Sequence, residues 1–173
     1  MIFSSTYKFE NWYKNKLKIR AYPNILDLNN KYIIQDTEII INVSDSIKPD
    51  IYNKIIKMGI EYFWFPMSES STDMGLHSIY GACVVLRKAE IDSKTVLLHC
   101  HGGNNRSQTV AQAYYYLREK IHLTTEYKGF QNQLVYNSET GHLPQLEKMN
   151  LFLEELSRKL KRNVSGGELD GII

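Results

Sequence analysis

Apolar positions from residue 38 onward follow two alternating periods, one typical of strands and one typical of helices. Three short runs, EIIINV, IEYFWF and TVLLH, are β-branched or aromatic and predict buried strands. Apolar residues recur at helical spacing over residues 50–59, from residue 76 to about 90, and from 110 to 121. Strands that alternate with helices of this length predict an α/β fold, in which helices flank both faces of a central, mostly parallel sheet.

The chain has the length of one domain, which we expect to span residues 1–163. Helical spacing predicts two more helices, near residues 125–136 and 145–162. The final segment, residues 164–173, is rich in glycine and is predicted to be a mobile tail. The first twenty residues mix aromatic residues with lysines and contain no continuous apolar run of the kind found in signal peptides.

Composition excludes several classes of function. Charged residues make up 23% of the chain and the formal net charge is +2, so nothing demands a nucleic-acid partner. No apolar run approaches the roughly 20 residues that span a bilayer, which predicts a cytoplasmic protein without a membrane partner. The basic run KNKLKIR is interpreted as a solvated surface. The sequence carries no indication of the oligomeric state.

The chain has two cysteines, Cys83 and Cys100, too few for a disulfide framework. Neither lies at a spacing suited to zinc, so we expect no metal and no cofactor. Cys83 falls on the apolar side of a predicted helix, where a small buried hydrophobe is favoured over a redox partner for Cys100. Cys100 must therefore be explained by its own surroundings.

Cys100 opens the loop CHGGNNR, which follows a predicted strand and precedes a predicted helix. Ligands of open α/β sheets bind at this edge. Gly102 and Gly103 allow the backbone N–H groups to converge on an anion, and the helix adds its positive end. Arg106 supplies a planar donor fork for phosphate oxygens. In such a field we expect the pKa of the Cys100 thiol to fall from about 8.5 into the range of roughly 3.5–7.5, which makes it a nucleophile.

The loop resembles the HCxxGxxRS signature of the cysteine-dependent protein tyrosine phosphatases, and the short chain favours their dual-specificity branch. The matching residues are His99, Cys100, Gly103, Arg106 and Ser107, and the resemblance extends from about Asn42 to the helix after Ser107. It implies that Cys100 attacks phosphorus to form a phosphocysteine, that Arg106 stabilises the transferring group and that Ser107 assists departure of the thiolate. His99 is expected to order the loop, and the predicted phosphate-binding residues are His101, Gly102, Gly103, Asn104, Asn105 and Arg106.

Cleavage of a phosphate ester also needs a proton donor. The resemblance implies an aspartate on the loop after the second strand, shortly after a proline. Glu69 occupies this place, three residues after Pro66 and thirty-one before Cys100. Asp73 has the usual chemistry at a displaced position, where it is equally suited to stabilising a helix start. We favour Glu69. A further departure is Gln108, where the family commonly has a small residue.

A phosphorylated protein or peptide is the expected substrate, and the preference between phosphotyrosine and phosphoserine or phosphothreonine stays open. Lipid and RNA phosphatases share the loop, although those that act on inositides tend to carry lysine in it. A pseudophosphatase that binds phosphate without hydrolysing it is another alternative. Thiol–disulfide chemistry is less favoured, because it needs further cysteines.

Overall fold

The computed structural model of the chain describes residues 5–68, 76–103 and 106–119, together with residues 154 and 158. The described residues between 5 and 119 form four strands and six helices. In chain order they are α1 (Ser5–Asn15), β1 (Leu17–Arg20), α2 (Ile25–Asn29), α3 (Lys31–Ile34), β2 (Ile39–Asn42), α4 (Pro49–Lys57), β3 (Glu61–Trp64), α5 (Leu76–Ile91), β4 (Val96–His99) and α6 (Arg106–Glu119).

The four strands form one sheet in the order β1-β4-β2-β3, and every neighbouring pair is parallel. Successive residues of a strand point to opposite faces, so β2 serves two cores. Ile39 and Ile41 pack with α1, α5 and α6, whereas Ile40 packs with α2, α3 and α4. Strands buried on both faces read as continuous apolar runs, which is why β2 and β4 could be predicted. β3 lies where the run IEYFWF predicts a strand, but the expectation that this strand is buried is wrong, because β3 is at the edge of the sheet and its residues are half-buried or exposed. The α/β fold with helices on both faces is confirmed.

The helix between β2 and β3 begins and ends where its sequence dictates. Pro49 occupies the first position, where its missing N–H costs nothing. Asp50 lies in the first turn and Lys57 in the last, each next to the helix end of opposite partial charge. Gly59 follows with a φ of 75°, a left-handed conformation that reverses the chain into β3.

The first twenty residues contribute more to the fold than their sequence indicates. Phe9, Trp12 and Tyr13 of α1 are buried in the core, and the Tyr13 hydroxyl donates a hydrogen bond to the Ala111 carbonyl of α6. The interpretation of KNKLKIR as a solvated surface is wrong for its second half. These residues form the edge strand β1, which pairs with β4 and buries Leu17.

Helix α6 is anchored to α5 by a partly buried carboxylate. Nε and Nη2 of Arg118 each donate a hydrogen bond to the Glu90 carboxylate at 2.9 Å. Arg87 and the Tyr114 hydroxyl donate to the same carboxylate. Burial alone would raise the pKa of Glu90, but hydrogen bonds from Arg118 and Tyr114 hold it below its usual value. These contacts join the end of α5 to the second half of α6.

The predicted helices over residues 125–136 and 145–162 lie outside the described residues, except Glu154 and Arg158, which are both helical. The tail over residues 164–173 also lies outside them, so the division of the chain at residue 163 stays a prediction. None of the helices in the described ranges is long and apolar enough to cross a membrane.

Candidate active site

Cys100 directly follows β4 at the carboxyl end of the sheet, and its side chain is buried. The Gly103 backbone N–H donates to Cys100 Sγ at 3.2 Å, and Ser107 Oγ lies 3.4 Å from the same sulfur. The Gly103 N–H stabilises negative charge on the sulfur, and the Ser107 hydroxyl does the same when it is the donor of its contact. The first turn of α6 adds the positive end of its dipole. These surroundings agree with the expectation that Cys100 is a nucleophile, which stays a prediction.

Gly103 is held against the end of β1. Its φ is 76°, and a Cβ atom at this position would lie 2.5 Å from the Arg20 carbonyl carbon and from the Ala21 nitrogen. Nearby, the Tyr22 N–H donates to the His101 carbonyl at 3.0 Å. The segment after β1 therefore forms the wall that supports the loop, which explains why the loop needs glycine here on two independent grounds.

Replacing Gly103 by alanine is expected to reduce both stability and activity. The left-handed conformation alone costs about 1–2 kcal/mol. The backbone clash then shifts the Gly103 N–H away from Cys100, which should lower kcat by roughly ten- to a hundredfold. Gly59 is a matched control, because its φ is 75° and no atom lies within 4 Å of the place that an added methyl group would take. Gly59→Ala should lose stability in chemical denaturation but keep its activity; equal behaviour of the two variants would refute the clash.

His99 is fully buried beneath the loop. Its ring lies 4.5 Å from the ring of Tyr22, and its Nδ1 lies 3.2 Å from the Cys100 carbonyl oxygen. Burial lowers the pKa of His99 to about 4, so the ring is neutral at physiological pH. A neutral ring can donate its hydrogen from Nδ1 to this carbonyl. The contact supports the predicted loop-ordering role.

Arg106 is the first residue of α6 and is only 1% exposed. Its Nη1 donates to the Met67 carbonyl at 3.0 Å and lies 3.4 Å from Asp45 Oδ1. Met67 belongs to the segment after β3, and Asp45 to the loop after β2. Three strand ends therefore meet at this guanidinium. Asp45 was not predicted as a site residue, although the strand end INVSD placed it at the ligand-binding edge.

The structure brings together His99, Cys100, Gly103, Arg106 and Ser107. His101 and Gly102 are exposed on the same loop, and the Gln108 side-chain amide is 3.5 Å from the Gly103 carbonyl. The other predicted site residues lie outside the described residues; these are Glu69, Asp73, Asn104 and Asn105.

Cys83 has the surroundings of a packing residue. It is buried in the core beside α6, and burial raises the pKa of its thiol to about 12. Within the described ranges no three His, Cys, Asp or Glu side chains are grouped in a way that could hold a metal ion.

Comparison with curated protein sequences finds no match to the chain. Solved structures do match. PTPMT1 superposes with a TM-score of 0.62 at 14% identity, over 87% of this chain and 97% of its own. A putative DUF442 phosphatase from Shewanella putrefaciens CN-32 gives a TM-score of 0.60 at 18% identity, over 85% and 89%. The core catalytic domain of the PP-IP phosphatase SIW14 from S. cerevisiae gives 0.51 at 15% identity, over 80% and 90%.

The sequence family described as the dual specificity phosphatase catalytic domain matches residues 19–150. The match covers most of the chain and reaches into β1, which lies before the segment that carries the resemblance in the sequence. It also includes every residue that contacts Cys100 or Arg106 in the site described above. The chain therefore belongs to the dual specificity phosphatase catalytic domain family.

Proposed function

We propose that the chain hydrolyses phosphate monoesters on proteins or peptides through a phosphocysteine at Cys100, without a metal ion. The observation that carries this proposal is the setting of the Cys100 sulfur. It receives the N–H of Gly103, lies beside the Ser107 hydroxyl and stands at the start of the helix that begins with Arg106. A thiolate and an arginine fork at one helix start suit nucleophilic attack on a bound phosphate.

In the first step the Cys100 thiolate attacks phosphorus opposite the ester oxygen. The sulfur–phosphorus bond forms as the phosphorus–oxygen bond breaks, and Glu69 donates its proton to the leaving oxygen. The guanidinium of Arg106 binds two equatorial oxygens, where charge is spread in the transition state. Backbone N–H groups of residues 101–105 bind the remaining charge.

In the second step water attacks phosphorus and the sulfur–phosphorus bond breaks. The Glu69 carboxylate takes the proton from that water, and inorganic phosphate leaves. Negative charge returns to Cys100 Sγ, where the Ser107 hydroxyl can donate a hydrogen bond to it from its observed distance of 3.4 Å. Ser107 therefore assists by stabilising the departing thiolate.

A protein or peptide substrate is favoured because residues 101–105, HGGNN, contain no lysine that would hold a second phosphate of an inositide. Two of the structural relatives add lipid and inositol pyrophosphate substrates to the comparison, because PTPMT1 was solved in complex with PI(5)P and SIW14 is a PP-IP phosphatase. Initial rates on a phosphotyrosine peptide, a phosphothreonine peptide, PI(5)P and an inositol pyrophosphate would rank the substrates. Preference for either of the last two would overturn the protein-substrate proposal.

A phosphate-binding module is the alternative outside catalysis. Para-nitrophenyl phosphate separates the two functions, because its good leaving group scarcely needs a general acid. Turnover of this ester supports an enzyme. Binding of phosphotyrosine peptides without turnover of any ester identifies a binding module.

Replacing Arg106 by lysine is expected to lower kcat on para-nitrophenyl phosphate by about 10²–10³-fold. Lysine keeps the charge but presents it at one point, so it cannot bind two phosphate oxygens and contact Met67 and Asp45 at the same time. Steady-state kinetics measure the loss. Arg87→Lys is the control, because Arg87 binds Glu90 away from the loop and its replacement should leave kcat unchanged. An Arg106→Lys enzyme with most of its activity would exclude the bidentate role.

A further inference from the structure

We propose that Asp45 is a positioning residue that sets the orientation of the Arg106 guanidinium for phosphoryl transfer. The inference rests on the proposed function of the site and assigns a role to a residue outside the HCxxGxxRS loop. Asp45 lies in the loop between β2 and α4, far from Arg106 in sequence. The two side chains meet because β2 and β4 are neighbouring strands.

The contact fixes one corner of the guanidinium. Arg106 Nη1 lies 3.4 Å from Asp45 Oδ1 and 3.0 Å from the Met67 carbonyl oxygen. A guanidinium is a rigid plane, so two acceptors around one nitrogen also determine where the other N–H groups point. Asp45 and Met67 contact Arg106 from the loops after two different strands. The fork is thereby aimed before substrate arrives, which reduces the reorganisation needed during reaction.

The loop that carries Asp45 is itself held by a buried polar cluster. Asn42 and Ser44 are fully buried, and the Ser44 N–H donates to Asn42 Oδ1 at 2.8 Å. The Asn42 amide donates to the Ser46 carbonyl at 2.9 Å and to the Tyr62 hydroxyl at 2.8 Å. The Trp64 indole N–H donates to the Ser44 carbonyl at 2.9 Å. Buried polar groups that are mutually satisfied make a loop rigid, so Asp45 is presented from a fixed backbone.

Charge alone does not explain an acid at this place. A carboxylate beside the phosphate-binding arginine repels the substrate, so a site shaped only by electrostatic attraction would lack it. The Asp45 side chain is 66% exposed, so water screens its repulsion of a bound phosphate. Water weakens the contact between Asp45 and Arg106 less, because these two groups lie close together. The remaining benefit of Asp45 is that it orients the Arg106 guanidinium. This predicts a defect in the transition state rather than in ground-state binding.

The test is the kinetic behaviour of Asp45→Asn on para-nitrophenyl phosphate. We expect kcat to fall by about ten- to a hundredfold, the scale of a misplaced catalytic group, with little change in KM. The inhibition constant of vanadate, which mimics the five-coordinate transition state, should rise by a similar factor, while that of inorganic phosphate changes by less than about threefold. Asp45→Glu should restore part of kcat. Asp92→Asn removes the same charge from an exposed turn before β4 and should alter neither constant.

Other outcomes overturn the inference. Tighter binding of both vanadate and phosphate, with kcat unchanged, would mean that Asp45 acts only through its charge. A loss of kcat that grows with the pKa of the leaving group would make Asp45 the general acid instead. In a double-mutant cycle, a full effect of Asp45→Asn in the Arg106→Lys background would show that it does not act through Arg106. Binding of phosphate and vanadate is measurable without turnover, so failure of the proposed hydrolysis is distinguishable from failure of this inference.

Discussion

Replacing Cys100 by serine is expected to lower kcat on para-nitrophenyl phosphate by about 10⁴-fold or more, the largest effect of any single substitution in the chain. Serine keeps the shape of the side chain but is not ionised at neutral pH, so no nucleophile remains to form the covalent intermediate. The backbone N–H groups and Arg106 are unchanged. Phosphate and vanadate should therefore still bind, measured by calorimetry or by thermal stabilisation.

Cys83→Ala is the matched control for this substitution. Cys83 packs in the core and its thiol stays protonated, so its removal should lower stability but leave kcat intact. Incubation with a chelator should also leave wild-type activity unchanged. An active Cys100→Ser enzyme, or an enzyme silenced by the chelator, would contradict the phosphocysteine mechanism.

Replacing Glu69 by glutamine is expected to lower kcat by roughly 10²–10⁴-fold on a phosphotyrosine peptide and much less on para-nitrophenyl phosphate. The tyrosyl oxygen leaves poorly without a proton, whereas nitrophenolate leaves without help. The basic limb of the pH profile on the peptide should also flatten, because that limb reports loss of the proton from the acid. Rates measured with both substrates across pH check both expectations.

Asp73→Asn is the comparison that decides the assignment of the acid. If Asp73 only stabilises a helix start, its replacement should cost about 0.5–2 kcal/mol of stability and leave the leaving-group dependence unchanged. A leaving-group-dependent loss in Asp73→Asn alone would reverse the assignment. Normal dependence in both variants would remove both residues from the proton transfer, and the proton would then come from water or from another group.

Much of the sheet could be predicted because β2 and β4 are buried on both faces. The runs IIIN and VLLH have apolar side chains in consecutive positions. Among structures of that length, a central strand buries such a run most completely. Strand β1 could not be predicted in the same way. LKIR is an edge strand of four residues with three charged or partly exposed positions, and its assignment depends on pairing with β4 far along the chain.

The site residues also fall into two groups, those that are close together in the sequence and those that only the fold brings together. Cys100, Gly103, Arg106 and Ser107 occur within eight residues, so their spacing alone indicated that they face one anion. Asp45 and the Met67 carbonyl reach Arg106 only because parallel strands end at one edge. A contact made by a backbone carbonyl cannot be recognised from a sequence. One exposed aspartate among nineteen acidic residues cannot be recognised as a site residue until its neighbour in the fold is known.

β4 is the last of the four strands in the described part of the chain but lies between β1 and β2. A nascent chain that has not yet released residues 96–99 from the ribosome therefore has no sheet that joins β1 to β2, and each of these strands presents an unpaired edge. Insertion of β4 closes both edges and carries Cys100 to the end of the sheet in the same event. The core is completed only later, when α6 packs on the sheet and brings Ser107 to the Cys100 sulfur. A chain stalled before β4 therefore exposes edges prone to aggregation rather than a partly formed enzyme.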